Sequence, residues 1–259
     1  MSFFFPVCAK MLFMSNHISR RPLNRETIKY IAILTMTCNH AALALLPSAS
    51  AARVVLTDIG YFTAITMCFF LTEGYFYTRS VRNYAIRLLV SGLLAEIPFC
   101  VVRGSFALDM MFTLLICLGV LCVCDRVPDI TQKILLILLL AFLSGFCDWG
   151  VLPVLFVLLF RFSRGNRRLE AASFCVGALL QFFSELAGNW SPLVPGTTAA
   201  RNALFASLPL LVSGAVILCL YSGRRAGHFR TFHKWFFYLY YPAHLALLAC
   251  FHLLLLRNP

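Results

Sequence analysis

The sequence has 259 residues, of which 61% are hydrophobic and only 12% charged, with a formal net charge of +12. A soluble domain carries about 25% charged residues, so this composition excludes one and points to a polytopic membrane protein. The basic excess lies in short stretches between apolar runs, the pattern that orientation in a bilayer imposes. No nucleic-acid partner is expected from it.

Residues 1–14, MSFFFPVCAKMLFM, form a short apolar patch broken by Lys10 and lack a small-residue cleavage site. They read as an interfacial segment rather than a signal peptide. Residues 1–27 are therefore expected to be a cytoplasmic or interfacial segment ahead of a single transmembrane domain over 28–256. Apolar runs bounded by charge or by Pro, Gly and Asn predict an all-α bundle of about nine spans: 28–46, 56–78, 84–102, 106–124, 132–147, 150–163, 169–187, 202–221 and 235–256. The fifth and sixth are short, and either tilt, are buried in the bundle, or form a re-entrant pair around Cys147-Asp148-Trp149-Gly150. With the N-terminus inside, 18 of the 22 Lys and Arg residues fall on the cytoplasmic side, and only Arg53, Arg103, Arg201 and Arg257 fall outside. That bias predicts a cytoplasmic N-terminus and an exported C-terminus.

In the first span, Lys29 and His40 are eleven residues apart, close to three helical turns. Both side chains then lie on one stripe, about 16 Å apart along the axis. A histidine inside a membrane span points to a functional site; the plainer alternative is an imidazole that packs helices by bonding a neighbouring carbonyl. Asp109, Asp148 and Glu96 lie toward the same membrane face as His40, and one of them beside the imidazole would orient it and raise its basicity. Glu73, followed by Arg79 and Arg82, reads as a buried acid paired near the inner surface. The last span, WFFYLYYPAHLALL, places Tyr238, Tyr240, Tyr241 and His244 around Pro242. Trp235 and the first tyrosines suit an interfacial belt, but His244 is too deep for one. The eleven cysteines include no CxxC pair and read as small buried apolar residues. No His, Cys or carboxylate grouping has metal-ligand spacing, so no metal is expected.

The blocks ETIKYIAILTMTCNHAAL, FFLTEGYFYTRSVRNYAIRLLVSGLLAEIPF, DMMFTLLICLGVL, CDWGVLPVLFVLLFR and WFFYLYYPAHLALL, in this order, resemble those of the TraX family over almost the whole chain after residue 26. The resemblance implies a polytopic membrane protein related to conjugation, in a family whose namesake acetylates the N-terminus of pilin. TraX-like proteins are in turn similar to membrane acyltransferases acting on envelope polymers, whose first span carries a basic residue, ten residues, then a histidine, as Lys29 and His40 do here. Where the family usually reads Asp-His, this chain has Asn39-His40, so the preceding residue can hydrogen-bond but cannot hold a negative charge.

The leading expectation is a multi-pass acyltransferase of the bacterial inner membrane, in contact with membrane lipids. It would use acetyl-coenzyme A as co-substrate and hold no permanent cofactor. The acceptor is a pilin N-terminus or an envelope polysaccharide. Lys29, Arg79, Arg82 and Arg87 are the candidates for the coenzyme phosphates. His40, with His244, Asp109 and Asp148, is the candidate catalytic set, while Asn39, Glu73, Glu96 and Tyr241 are candidates for substrate binding or structural support. A small transporter or flippase, and a non-catalytic subunit of a conjugation or secretion apparatus, are the readings from other classes.

Overall fold

Each described helix starts where the sequence supplies a break, and several start on a side chain that caps it. The computed structural model describes residues 21–47, 50–189 and 195–257; the expected interfacial segment at 1–14 lies outside them. Among the described residues there are nine helices: α1 (Arg25–Leu45), α2 (Ala51–Tyr77), α3 (Val81–Arg103), α4 (Met110–Arg126), α5 (Ile130–Ser144), α6 (Leu152–Ser163), α7 (Arg167–Gly188), α8 (Gly196–Ala215), which ends in a π turn over Val216–Leu220, and α9 (Arg230–Arg257). The side chains of Asn24, Ser80, Asp109, Asp129 and Asn166 accept the first free backbone N–H groups of α1, α3, α4, α5 and α7. Such caps satisfy donors that a helix start leaves open.

Each of the nine apolar runs is thus one helix. Six helices, α1, α2, α3, α7, α8 with its π turn, and α9, are long and apolar enough to cross a membrane. The other three are shorter, at 17, 15 and 12 residues. At 1.5 Å per residue α6 is only about 18 Å long, well short of a ~30 Å hydrocarbon core. Side-chain pairs fix both of its ends against its neighbours. At its start Trp149 packs edge-on against Tyr61 of α2, with ring centroids 5.0 Å apart, and at its end Arg161 bonds Asp125 of α4 at 2.6 Å.

Helix α2 is the central element, packed against α1, α4, α6 and α8, while α9 lies against α1 and α3. Small residues let these helices approach: a Cβ at Gly60 would run into the Asn39 side chain of α1, and one at Gly214 would meet Phe174 of α7 at 2.8 Å. The outward surface is apolar, with Leu34, Ile97, Leu138, Phe162 and Phe183 all exposed, as expected of faces turned to lipid.

Two short backbone stitches tie the ends of the bundle. At one end Leu23 donates to Leu220 O at 3.1 Å, Ser222 donates to Leu23 O at 2.8 Å, and Arg25 donates to Arg224 O at 2.9 Å, holding the approach to α1 against the segment between α8 and α9. At the opposite end Leu108 donates to Phe146 O at 3.1 Å and Asp148 to Leu108 O at 2.7 Å, joining the approach to α4 to the α5–α6 loop. The first stitch shapes a cavity mouth; the second holds Asp109 and Asp148 in place.

Candidate functional site: a basic cavity and a buried histidine pair

A cavity of about 540 Å³ opens at the end of the bundle where α1 begins. Its mouth carries Lys29 of α1, Arg79 in the α2–α3 turn, Arg87 of α3, Arg225, and Arg230 and Lys234 of α9. Arg225 and Arg230 enter it because the first stitch pins their segment against α1. The walls turn apolar below, with Met36, Met67, Phe70, Leu114 and Phe237, and Met111 and Tyr241 lie among its deepest residues. The cations are held in place by rings: Lys29 Nζ lies 5.0 Å from the Phe237 centroid, and Arg87 lies 5.6 Å from both Tyr84 and Tyr238. Glu26 is the acid among the lining residues, and its carboxylate accepts the Ala226 N–H. The balance of the mouth is therefore strongly positive, suited to phosphate oxygens.

Glu73 does not pair with Arg79 or Arg82. Arg25 approaches it at 3.6 Å and the Tyr221 hydroxyl donates to it at 2.7 Å, while Arg25 also donates to Phe70 O at 2.9 Å. The acid is a brace joining α1, α2 and the post-α8 segment, because burial demands a partner from whichever helix is nearest in space and α1 is nearer than the following turn. Arg82 does not line the cavity, whereas Lys29, Arg79 and Arg87 do. Arg225, Arg230 and Lys234 are not among the residues expected from the sequence; their signal is the cluster of cations at 224–234, which charge bias alone marks only as an orientation signal.

Beyond Tyr241 lies the histidine pair. His40 of α1 and His244 of α9 are both buried, with His40 Nδ1 at 2.9 Å from His244 Nε2 and the rings stacked at 5.1 Å. His244 Nδ1 lies 3.0 Å from Tyr240 O, and a carbonyl only accepts, so His244 Nδ1 carries the proton. With both rings neutral, His244 Nε2 is then an acceptor, His40 Nδ1–H donates to it, and the lone pair of the dyad sits on His40 Nε2. That nitrogen has no hydrogen-bond partner among the described residues. Tyr241 packs its edge against both imidazoles, at 6.3 Å and 5.7 Å, and so stands between the cavity and the pair.

The carboxylates take other roles. Asp109 caps α4, accepting from Met111 N at 2.7 Å and Phe112 N at 3.4 Å, and its own N–H donates to Glu96 at 3.2 Å. The second Asp109 oxygen is buried without a partner, and Tyr241 is close by, its hydroxyl accepting from Met110 N at 3.3 Å. Asp148 accepts from Arg103 at 2.7 Å; burial pushes its carboxyl above the usual range against the pull of that arginine. The side-chain partner of His40 is His244, not one of these acids. Asn39 points away from the imidazole and donates to Thr57 O of α2 at 2.9 Å. Among the described residues no group of three or more His, Cys, Asp or Glu side chains converges to hold a metal ion.

Comparison with known proteins gives two findings. The family model described as TraX protein matches residues 24–252. The chain is also 30% identical over 243 residues to the probable fimbrial assembly protein FimC, serogroup H1, of Dichelobacter nodosus, a match covering 86% of this chain and 93% of the relative. No solved structure matches.

Proposed function

Starting from the fact that this chain belongs to the TraX family, we propose that it is a membrane acetyltransferase that draws acetyl-coenzyme A into the basic cavity and passes the acetyl group to an acceptor beside His40. The observation that carries this reading is the continuity of the cavity: a cationic mouth, an apolar shaft and, at its deep end, Tyr241, whose ring packs against both imidazoles. The mouth suits the coenzyme phosphates and the shaft its uncharged arm. A volume of about 540 Å³ falls within the ~300–1,000 Å³ usual for a bound organic ligand.

In the proposed reaction, His40 Nε2 removes the proton from an acceptor amine or hydroxyl as that atom attacks the thioester carbonyl. The tetrahedral adduct collapses, the carbon–sulfur bond breaks, and the proton held on His40 passes to the departing thiolate. Positive charge on His40 during transfer is shared through His244, whose Nε2 accepts the Nδ1 proton and whose own Nδ1 is anchored on Tyr240 O. A second imidazole thereby supplies the orientation that an acidic neighbour would give, which accommodates Asn39. Tyr241 has to turn aside for the thioester to meet His40.

The fimbrial assembly name of the Dichelobacter nodosus relative supports a pilus subunit as acceptor. The test is transfer of labelled acetyl from acetyl-coenzyme A to membrane material, with and without the protein, followed by identification of the labelled product. Label on a pilin N-terminus is the expected result. A protein that binds the coenzyme nowhere and transfers nothing, yet is needed for pilus formation, would be a non-catalytic assembly subunit instead.

A further inference from the structure

The end of the bundle opposite the cavity mouth carries a second polar site that the transfer reading does not use. Asp58 and Tyr61 lie one turn apart on α2, and Gln181 and Glu185 lie one turn apart on α7. The Tyr61 hydroxyl reaches across to donate to Glu185 Oε1 at 3.0 Å, and Gln181 Nε2 donates to the same oxygen at 3.1 Å. Asn189 donates to Glu185 Oε2 at 3.1 Å. Asp58 lies one turn before Tyr61 and so on the same side of α2, the side that Tyr61 turns toward Glu185. No cation among the described residues pairs with either acid, in contrast to Glu73, Asp125 and Asp148, which all have an arginine.

Independent of the acids, Gln181 is only 3% exposed and its Oε1 is buried with no donor. An orphaned buried acceptor is costly, and beside two unpaired carboxylates it asks for a positively charged donor. Trp149, packed edge-on against Tyr61 at 5.0 Å, brings a second aromatic ring to the same end of the bundle. The site lacks the three acidic or nitrogen ligands that a metal ion needs, so the fitting cation is an organic ammonium.

The surroundings say what bears it. Val55 and Ile59 on α2 and Leu179 and Phe183 on α7 are exposed apolar side chains beside the cluster, a surface for acyl chains. Arg201, exposed near the start of α8, is a counter-charge for a phosphate at the same end. We propose that this cluster binds the headgroup of an aminophospholipid, its primary ammonium donating to Asp58, Glu185 and Gln181 and its acyl chains lying along α2 and α7. This inference does not rest on the acetyltransferase reading and would survive its failure.

The test is calorimetric titration of the purified full chain in detergent with short-chain phosphatidylethanolamine, phosphatidylcholine and phosphatidylglycerol of equal chain length. The ethanolamine lipid should bind about tenfold or more tightly than the other two, because a primary ammonium alone offers charge and N–H donors together. Glu185→Gln should erase that preference while leaving binding of the glycerol lipid unchanged. Asp58→Asn, at a side chain with no hydrogen-bond partner of its own among the described residues, gives the same reading should Glu185→Gln fail to fold. Equal affinity for the three lipids, or a folded Asp58→Asn protein that keeps the preference, overturns the proposal. So does a free-amine peptide that displaces the ethanolamine lipid at lower concentration, since the site would then belong to a polypeptide.

Discussion

His40→Ala removes the free Nε2 while leaving a good helix former in α1, so insertion and folding should largely survive. If His40 is the general base, transfer should fall by about 10²–10⁴-fold, with coenzyme affinity preserved because the mouth is untouched. The dyad geometry makes a sharper demand on His244. Replacing it with alanine takes nothing from the reacting atoms but frees His40 to rotate and to carry its proton on Nε2, and a wrongly protonated imidazole has cost as much as about 10⁴-fold in a known triad. Both variants should therefore lose rate in a single-turnover assay, and the double variant little more than His40→Ala alone. Independent, multiplying losses would show that the two rings do not act as a unit. At the mouth, Lys29→Gln should weaken coenzyme binding by about one to two orders of magnitude, the worth of one charge-assisted contact to an anion; unchanged affinity would leave Lys29 as an orientation mark. Asn39→Asp restores the family's usual residue, and the structure expects harm from it. The Asn39 amide donates to Thr57 O, and a carboxylate would set two acceptors against each other. A lower melting temperature with no gain in transfer is the expected outcome.

The seat of α1 on α2 turns His40 toward α9, and Gly60 lets that seat close. A methyl group there would overlap the Asn39 side chain, so Gly60→Ala should lift α1 from α2 at the residue next to His40. Overpacking of this kind costs about 1–3 kcal/mol, readable as a lower thermal midpoint together with a loss of transfer; since the nearest atom is Asn39 Cβ, which no rotamer moves, an unchanged midpoint would mean that α1 shifts on α2 without cost. At this scale most of the helix order was legible. Nine apolar runs became nine helices because each is bounded by a residue that caps or breaks, and Asn24, Asp109, Asp129 and Asn166 all cap. Asp109 shows what was not legible: in sequence it looks like a partner for His40, but a side chain at the start of α4 takes two of the helix's open N–H groups first. The pairing of His40 with His244 joins residues 204 apart in the chain, and neither composition nor spacing carries that. It follows from α9 packing beside α1, which only the fold decides.

At the scale of the whole molecule, charge is divided between the two ends. The cavity mouth gathers arginines and lysines from α1, α3, α9 and the connecting turns, while Asp58, Asp148 and Glu185 lie at the other end with Arg103. Lys and Arg accumulate on the cytoplasmic side, so the mouth should face the cytoplasm, where acetyl-coenzyme A is made. Six helices have the length to cross, and the shorter α4, α5 and α6 decide the count. A reporter active only in the cytoplasm, fused after Pro259, should be silent, because an odd number of crossings from a cytoplasmic N-terminus exports the end. That result alone fits nine crossings or seven, since α5 and α6 could both fail to cross without changing parity. Phe146 separates the two: it is 59% exposed in the α5–α6 loop, at the end opposite the mouth. In intact cells a membrane-impermeant maleimide should label Phe146→Cys above the background of the native cysteines. Labelling only after the membrane is breached would place that loop inside, and the nine-span arrangement would have to give way to one in which α5 and α6 return to the side they left.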